Sequence, residues 1–383
     1  MVAVISLAAI RIRTGKFPEP GGLILATFTR RGFVKSVGPL LLSATTAFDA
    51  QNIVFADNMD RYSGPTPYAY VDPELADALR NFPQSVEPPG PENLTARRAE
   101  DASGSLLKAP ELLPRKAMAR GGDRDVPVLI IDPKPGGKNR PATIYIHGGG
   151  YVLGSASTKL RLAQEIAQAT KSLVVSVDYT LAPEARFPVS LEQNYAALAW
   201  LHRNARELGI DRDRIAVCGD SAGGGHAAML AIAARDRGRF SIAFQCLIYP
   251  MLDDRTGSTK HMPPYIGQFL WTEAANQFGW SSLLGVPAGS PMVPPGSVPA
   301  RVENLSLLPP TFIGVGSIDL FCAEDIEYAR RLILSGVPTE LFVVPGAYHG
   351  FDVVARNARL TVQFRNAWHS ALRRGLGIGT AAA

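Results

Sequence analysis

From residue 126 onward, short runs rich in valine and isoleucine alternate with longer stretches of mixed polarity. The runs are "VPVLIID" (126–132), "PATIYIH" (141–147), "SLVVSVDY" (172–179), "RIAVCGD" (214–220), "IAFQCLIYP" (242–250), "TFIGVGS" (311–317) and "TELFVVPG" (339–346). Each is bounded by Gly, Pro or Asp and reads as a strand. The stretches between them, 158–170, 191–208, 222–236, 323–335 and 356–374, read as helices. In the fourth, Ile326, Ala329, Leu332 and Ile333 recur at a spacing that forms one apolar stripe. Strands that are apolar almost throughout need cover on both faces. The pattern therefore predicts an α/β fold with a mostly parallel sheet and helices on either side.

Two regions break the alternation. Residues 51–125 contain one helical stretch, "DPELADALRNF" (72–82), followed by sequence rich in Pro, Glu and Arg. Residues 255–308 hold an aromatic helix, "IGQFLWTEAANQFGWSSLLG" (266–285), and then a proline-dense loop that reaches Pro310. Long excursions from a regular sheet protein are usually functional, and together these two are expected to form a helical cap over the strand ends. Phe269, Trp271, Phe278 and Trp280 are candidates for lining it, although aromatics at helical spacing more often serve packing. The organisation expected is an N-terminal arm (1–50), a cap segment and linker (51–125) and a main domain (126–383) with a cap insertion at about 255–308.

Composition narrows the classes. The chain has 383 residues, 46% hydrophobic and 19% charged, so it is long and apolar enough to bury a large core. Its net charge is +5, but the arm alone holds Arg11, Arg13, Lys16, Arg30, Arg31 and Lys35 against Glu19 and Asp49. Outside the arm the balance is close to neutral, which argues against a nucleic-acid-binding face. Cys218, Cys246 and Cys322 each lie in an apolar stretch and read as small core residues. In the arm, "TRRGFVK" (29–35) precedes the weakly apolar "SVGPLLLSATTAFDA". This resembles a twin-arginine export signal, with cleavage after Ala47 or Ala50, and implies a periplasmic or secreted protein. The alternative is a cytoplasmic chain with a basic N-terminus. The run is too short and too interrupted by Gly38 and Pro39 to make a stable membrane span.

The chemistry is concentrated at glycines. "Gly219-Asp220-Ser221-Ala222-Gly223" is G-x-S-x-G between a strand and a helix, where a sharp turn leaves no room for a β-carbon beside the serine. The turn lifts the hydroxyl above the sheet, and the helix start aims backbone N–H groups at negative charge. Some seventy residues upstream, "IHGGG" (146–150) offers a backbone loop that can approach a carbonyl closely.

The chain at this point resembles the hormone-sensitive lipase family of α/β-hydrolases, in its bacterial GDSAG esterase branch. The matching motifs are "HGGG" (147–150), "DYTLAPE" (178–184), "FP" (187–188), "GDSAGG" (219–224), "GSIDL" (316–320) and "GAYHGF" (346–351), in the order of the family and over roughly residues 65–375. One departure is Thr180, where the family commonly has Arg. The resemblance implies an α/β-hydrolase fold and the chain order serine, acid, histidine. Asp319 and His349 then complete a triad with Ser221, each just past a strand; Glu324, Asp325 and Asp352 are rivals for the acid, the first two expected to serve the first turn of their helix. The expected oxyanion donors are Gly149, Gly150 and Ala222, with Gly148 as a contributor. His147 is expected to fix the oxyanion loop and His226 to ride the helix behind the serine, while His202, His261 and His369 read as surface or packing residues. Neither H-E-x-x-H nor Cys/His ligand spacing occurs, and the reaction needs no cofactor and no metal. The implied activity is hydrolysis of short- to medium-chain carboxylic esters, with a small-molecule ester as the partner and homodimerisation left open. A lactonase or amidase using the same triad, and a non-catalytic binder of the same fold, are the alternatives.

Overall fold

The computed structural model describes residues 66–82, 87–104, 112–120 and 124–379. The Arg30–Arg31 pair and both cleavage positions of the export reading lie outside them.

Eight strands form one sheet: β1 (Arg115–Ala119), β2 (Val126–Ile131), β3 (Arg140–Ile146), β4 (Leu173–Val177), β5 (Ile210–Asp220), β6 (Phe244–Ile248), β7 (Thr311–Gly316) and β8 (Thr339–Val344). Their spatial order is β1-β2-β4-β3-β5-β6-β7-β8. β2 runs antiparallel to both β1 and β4, and the rest of the sheet is parallel. The alternation of a strand sends successive side chains to opposite faces. Thus Ile144, Ile146, Val175, Val177, Ile215 and Val217 join one core with Leu198, Leu201 and Leu230. Tyr145, Val174, Ala216 and Cys218 join the other, with Ile166, Phe364 and Trp368. The helices on the first face are α4 (Val189–Arg203), α6 (Ala222–Arg237) and α8 (Cys322–Leu334); those on the second are α3 (Leu160–Thr170) and α10 (Arg359–Gly375). Short helices α5 (Ala205–Leu208) and α9 (Phe351–Val354) complete this part.

Several elements depart from the sequence expectations. β1 was hidden in the linker because it is an edge strand, mostly exposed, and has no apolar signature of its own. A second helix, α2 (Leu94–Gly104), lies in the Pro-, Glu- and Arg-rich sequence after the one helix expected there. It docks mainly through polar bonds: Arg98 donates to the carbonyls of Val152 and Ala182 and pairs with Glu184, Asp101 pairs with Lys159, and Leu94 alone borders the core. In α8 the buried side is Cys322, Glu324, Asp325, Tyr328, Ala329 and Leu332. Ile326 and Ile333 of the expected stripe are instead exposed, at 42% and 55%. The expected helix 191–208 breaks at Asn204 into α4 and α5. The aromatic helix starts only at Glu273 (α7, Glu273–Leu284), capped by Thr272, because Gly267 and Leu270 turn the preceding segment through positive φ.

The excursions are tied to the strand ends. Helix α1 (Pro73–Arg80), capped by Asp72, buries Leu75, Ala76 and Leu79, and the Asp72 N–H donates to Gly346 O in the loop after β8. The ends of the 255–308 insertion are closed by Arg301, which makes a bidentate pair with the fully buried Asp254, at 2.7 Å for both bonds. Such planar, two-bond pairing holds a loop in one register.

Candidate active site

β5 ends at Asp220 and α6 begins at Ala222, so Ser221 alone makes the turn, with φ 54° and ψ −123°. This left-handed backbone is strained for a residue with a β-carbon. It is held from both sides: the Ser221 N–H donates to Ile248 O at 2.9 Å, and Ser221 O accepts from Met251 N and Gly225 N at 3.0 and 3.1 Å. A β-carbon on Gly223 would collide with the carbonyl of Ile146 at the end of β3, which explains the glycine after the turn.

His349 follows β8 and Asp319 follows β7, and the structure brings both to Ser221. Ser221 Oγ lies 3.0 Å from His349 Nε2, and His349 Nδ1 lies 2.8 Å from Asp319 Oδ2. The other oxygen of Asp319 accepts the Phe321 N–H at 2.9 Å, which orients the carboxylate. Asp319 is fully buried, while Ser221 and His349 are 6% and 8% exposed. The imidazole is boxed edge-on by Phe321 and Tyr249, with centroids at 5.1 and 4.9 Å. None of the rival acids bonds to His349. Glu324 Oε1 accepts from the N–H groups of Leu252 and Asp253, so its carboxylate braces the loop after β6 and not its own helix. Asp352 accepts the Tyr249 hydroxyl at 2.9 Å. Asp325 is buried without a hydrogen-bond partner among the described residues, and burial pushes its carboxyl well above the usual range.

The loop after β3 lies against the turn. The Gly149, Gly150 and Ala222 N–H groups have no hydrogen-bond acceptor among the described residues. Gly148 differs from the expected donor role: its N–H is committed to Asp220 Oδ1 at 3.2 Å. The same oxygen accepts the buried Tyr145 hydroxyl at 2.7 Å. Asp220 therefore clamps the glycine loop to the serine turn, a role that the x position of G-x-S-x-G does not announce in sequence. His147 braces the loop as expected, with Nδ1 2.9 Å from Gly148 O, its ring stacked on Tyr179 and its carbonyl accepting the Tyr179 hydroxyl.

Of the four aromatics expected to line the cap, only Trp271 reaches the triad, its ring centroid 6.5 Å from that of His349. Phe269 packs on Tyr68 and Tyr348, Trp280 is buried against Tyr151, and Phe278 only borders the core. A cavity of about 480 Å³ opens beside this segment, lined by Phe82, Pro88, Leu153, Phe269 and Leu270 among others.

His226 rides α6 behind the serine, fully buried, with edge-on contacts to Tyr151 and Tyr179 and no hydrogen-bond partner for either ring nitrogen among the described residues. Burial lowers its pKa to about 3, and His147 adds to the effect. The unfolded chain therefore takes up a proton near pH 6.5 that the folded protein refuses until about pH 3. Stability from this neutral imidazole is complete above pH 6.5 and declines as pH falls toward 3, by on the order of 4 kcal/mol. His226→Leu is expected to flatten that acid limb: the difference in urea midpoint between pH 7 and pH 4.5 shrinks relative to wild type. The other histidines stand apart from the site. His202 is buried and bonds Ser241 O, His261 is exposed beside Glu273, and His369 pairs with Glu165.

Comparison with known proteins places this geometry in a family. A family model described as alpha/beta hydrolase fold matches residues 143–353. The carboxylesterase NlhH of Mycobacterium tuberculosis is 34% identical over 291 residues, covering 73% of this chain and 88% of that protein. An arylesterase of Saccharolobus solfataricus is 33% identical over 238 residues, 62% of this chain and 76% of its own length. Among solved structures, a bacterial heroin esterase superimposes with a TM-score of 0.72 at 34% identity, over 81% of this chain and 99% of that one. The esterase of the archaeon Pyrobaculum calidifontis gives 0.71 at 28% identity, over 81% and 99%. With the serine turn, the glycine loop and the eight-stranded sheet in place, the chain belongs to the α/β-hydrolase family, in its hormone-sensitive-lipase-like group.

Proposed function

We propose that the protein is a serine carboxylesterase in which Ser221 is the nucleophile, His349 the general base and acid, and Asp319 the group that orients and supports the imidazole. The observation that carries this reading is the unbroken line Asp319–His349–Ser221, with both links at hydrogen-bond length. His349 Nε2 takes the hydroxyl proton as Oγ attacks the ester carbonyl. The tetrahedral oxyanion forms beside the Gly149, Gly150 and Ala222 N–H groups, which have no competing acceptor, at the start of α6 where the helix dipole favours negative charge. The protonated His349 then delivers its proton to the leaving alcohol oxygen as the carbonyl re-forms. Water, deprotonated by the same imidazole, releases the acid and regenerates Ser221. Gly148 serves the loop rather than the oxyanion, since Asp220 holds its N–H.

Similarity to a carboxylesterase, an arylesterase and other esterases supports ester substrates. The low exposure of Ser221 and His349 favours short and medium acyl chains. The wild-type protein is expected to hydrolyse p-nitrophenyl acetate and butyrate with a kcat/KM at least about tenfold above those for matched p-nitroanilides and γ-lactones, a difference of roughly 1.4 kcal/mol in barrier. A preference for the anilide would make it an amidase, and a preference for the lactone a lactonase.

A further inference from the structure

We propose that Trp271 is a fixed wall on the leaving-group side of the site and sets how thick an alcohol the enzyme accepts. This rests on the serine-esterase reading above. The indole is 7% exposed and held in one orientation: its Nε1–H donates to Asn276 Oδ1 at 3.2 Å, and Asn276 Nδ2 donates in turn to Thr256 O at 2.7 Å. Its backbone N–H donates to Phe269 O at 2.7 Å. At its other end, Cη2 of the ring fills the space where a β-carbon on Gly150 would stand. The ring thus touches a glycine of the oxyanion loop and lies next to the histidine. The neighbouring Leu270, at φ 61°, extends the same wall, with Cδ2 3.3 Å from the β-position of Gly350.

The side of the substrate that meets this wall follows from the tetrahedral intermediate. Its carbon carries Oγ of Ser221, the oxyanion, the alcohol oxygen and the acyl chain. The oxyanion must face the Gly149–Gly150 loop, and the alcohol oxygen must lie within reach of His349 Nε2 to be protonated. In a tetrahedron, the edge joining these two substituents is opposite the edge joining Oγ and the acyl chain. A group that contacts Gly150 and neighbours His349 lies over the first edge. Its bulk therefore meets the alcohol and leaves the acyl chain free. A rigid, flat indole admits planar or unbranched alcohols and excludes thick, branched ones.

Two substrate series separate the sides, each read as a ratio within one protein so that losses common to both substrates cancel. In Trp271→Ala, kcat/KM for cyclohexyl acetate relative to methyl acetate should rise roughly tenfold or more, the range expected when steric exclusion from a pocket is relieved. The ratio of p-nitrophenyl butyrate to p-nitrophenyl acetate should stay within about twofold of wild type. Trp271→Phe, which keeps a ring against Gly150 but loses the bond to Asn276, should raise the cyclohexyl ratio by less, and it stands in if the alanine variant fails to fold. A shift in the acyl series, or an unchanged cyclohexyl ratio in both variants, overturns the assignment while the serine-esterase reading stands. Wild-type hydrolysis that survives Ser221→Ala overturns both.

Discussion

Ser221→Ala is expected to lower kcat for p-nitrophenyl acetate by about 10⁶, leaving only the weak catalysis that an oxyanion site and substrate binding provide on their own. The size of the effect follows from the connectivity. Among the described residues Ser221 Oγ is the only group in hydrogen-bond contact with His349 Nε2, so removing it leaves the base with no nucleophile to activate. The substitution should not disturb the turn, since the bonds that hold residue 221 in place run through its backbone N–H and carbonyl. An unchanged thermal melt alongside lost turnover is the expected pair of results. Turnover within tenfold of wild type would place the nucleophile elsewhere.

Asp319→Asn is expected to lower kcat by about 10⁴. The present carboxylate accepts the Nδ1–H of His349 and so leaves a lone pair on Nε2 facing Ser221. An asparagine oriented by its bond to the Phe321 N–H presents its NH₂ to the imidazole. The ring then places its lone pair on Nδ1 and its proton on Nε2, where it cannot take the proton of Ser221. Shape and burial barely change, so the loss measures protonation rather than packing. Asp325→Asn and Asp352→Asn serve as comparisons, because neither carboxylate bonds to His349. Their effect on kcat should be within about tenfold of wild type, and a loss from either one matching that of Asp319→Asn would reassign the acid.

Much of this arrangement is legible in the sequence because it rests on the backbone. The serine turn and the glycine loop need residues without β-carbons, and the strands that present them are apolar on both faces. Both requirements leave a local signature. Asp319 and His349 are found through chain order and strand ends, and Asp325 is set apart from Asp319 by falling inside the following helix. The missing parts depend on tertiary partners. β1 is exposed on an edge and α2 docks through Arg98, so neither carries a periodic apolar pattern. The position of Asp220 gives no sign that it takes the Gly148 N–H from the oxyanion loop. Ile326 and Ile333 fit a helical stripe, yet the fold turns α8 so that Asp325 and Tyr328 face inward. Trp271 is indistinguishable in sequence from Phe269 and Trp280; what separates it is the space over Gly150 and the bond to Asn276.

The most direct test of the serine mechanism is to trap the acyl-enzyme. Wild-type protein is mixed with p-nitrophenyl acetate, quenched in acid within the first turnover, digested and mapped by mass spectrometry. One acetyl group per chain on Ser221, accompanied by a burst of p-nitrophenol of the same stoichiometry, is the expected result. Acetylation of a different residue, or steady hydrolysis with neither a burst nor a modified Ser221 peptide, would contradict it.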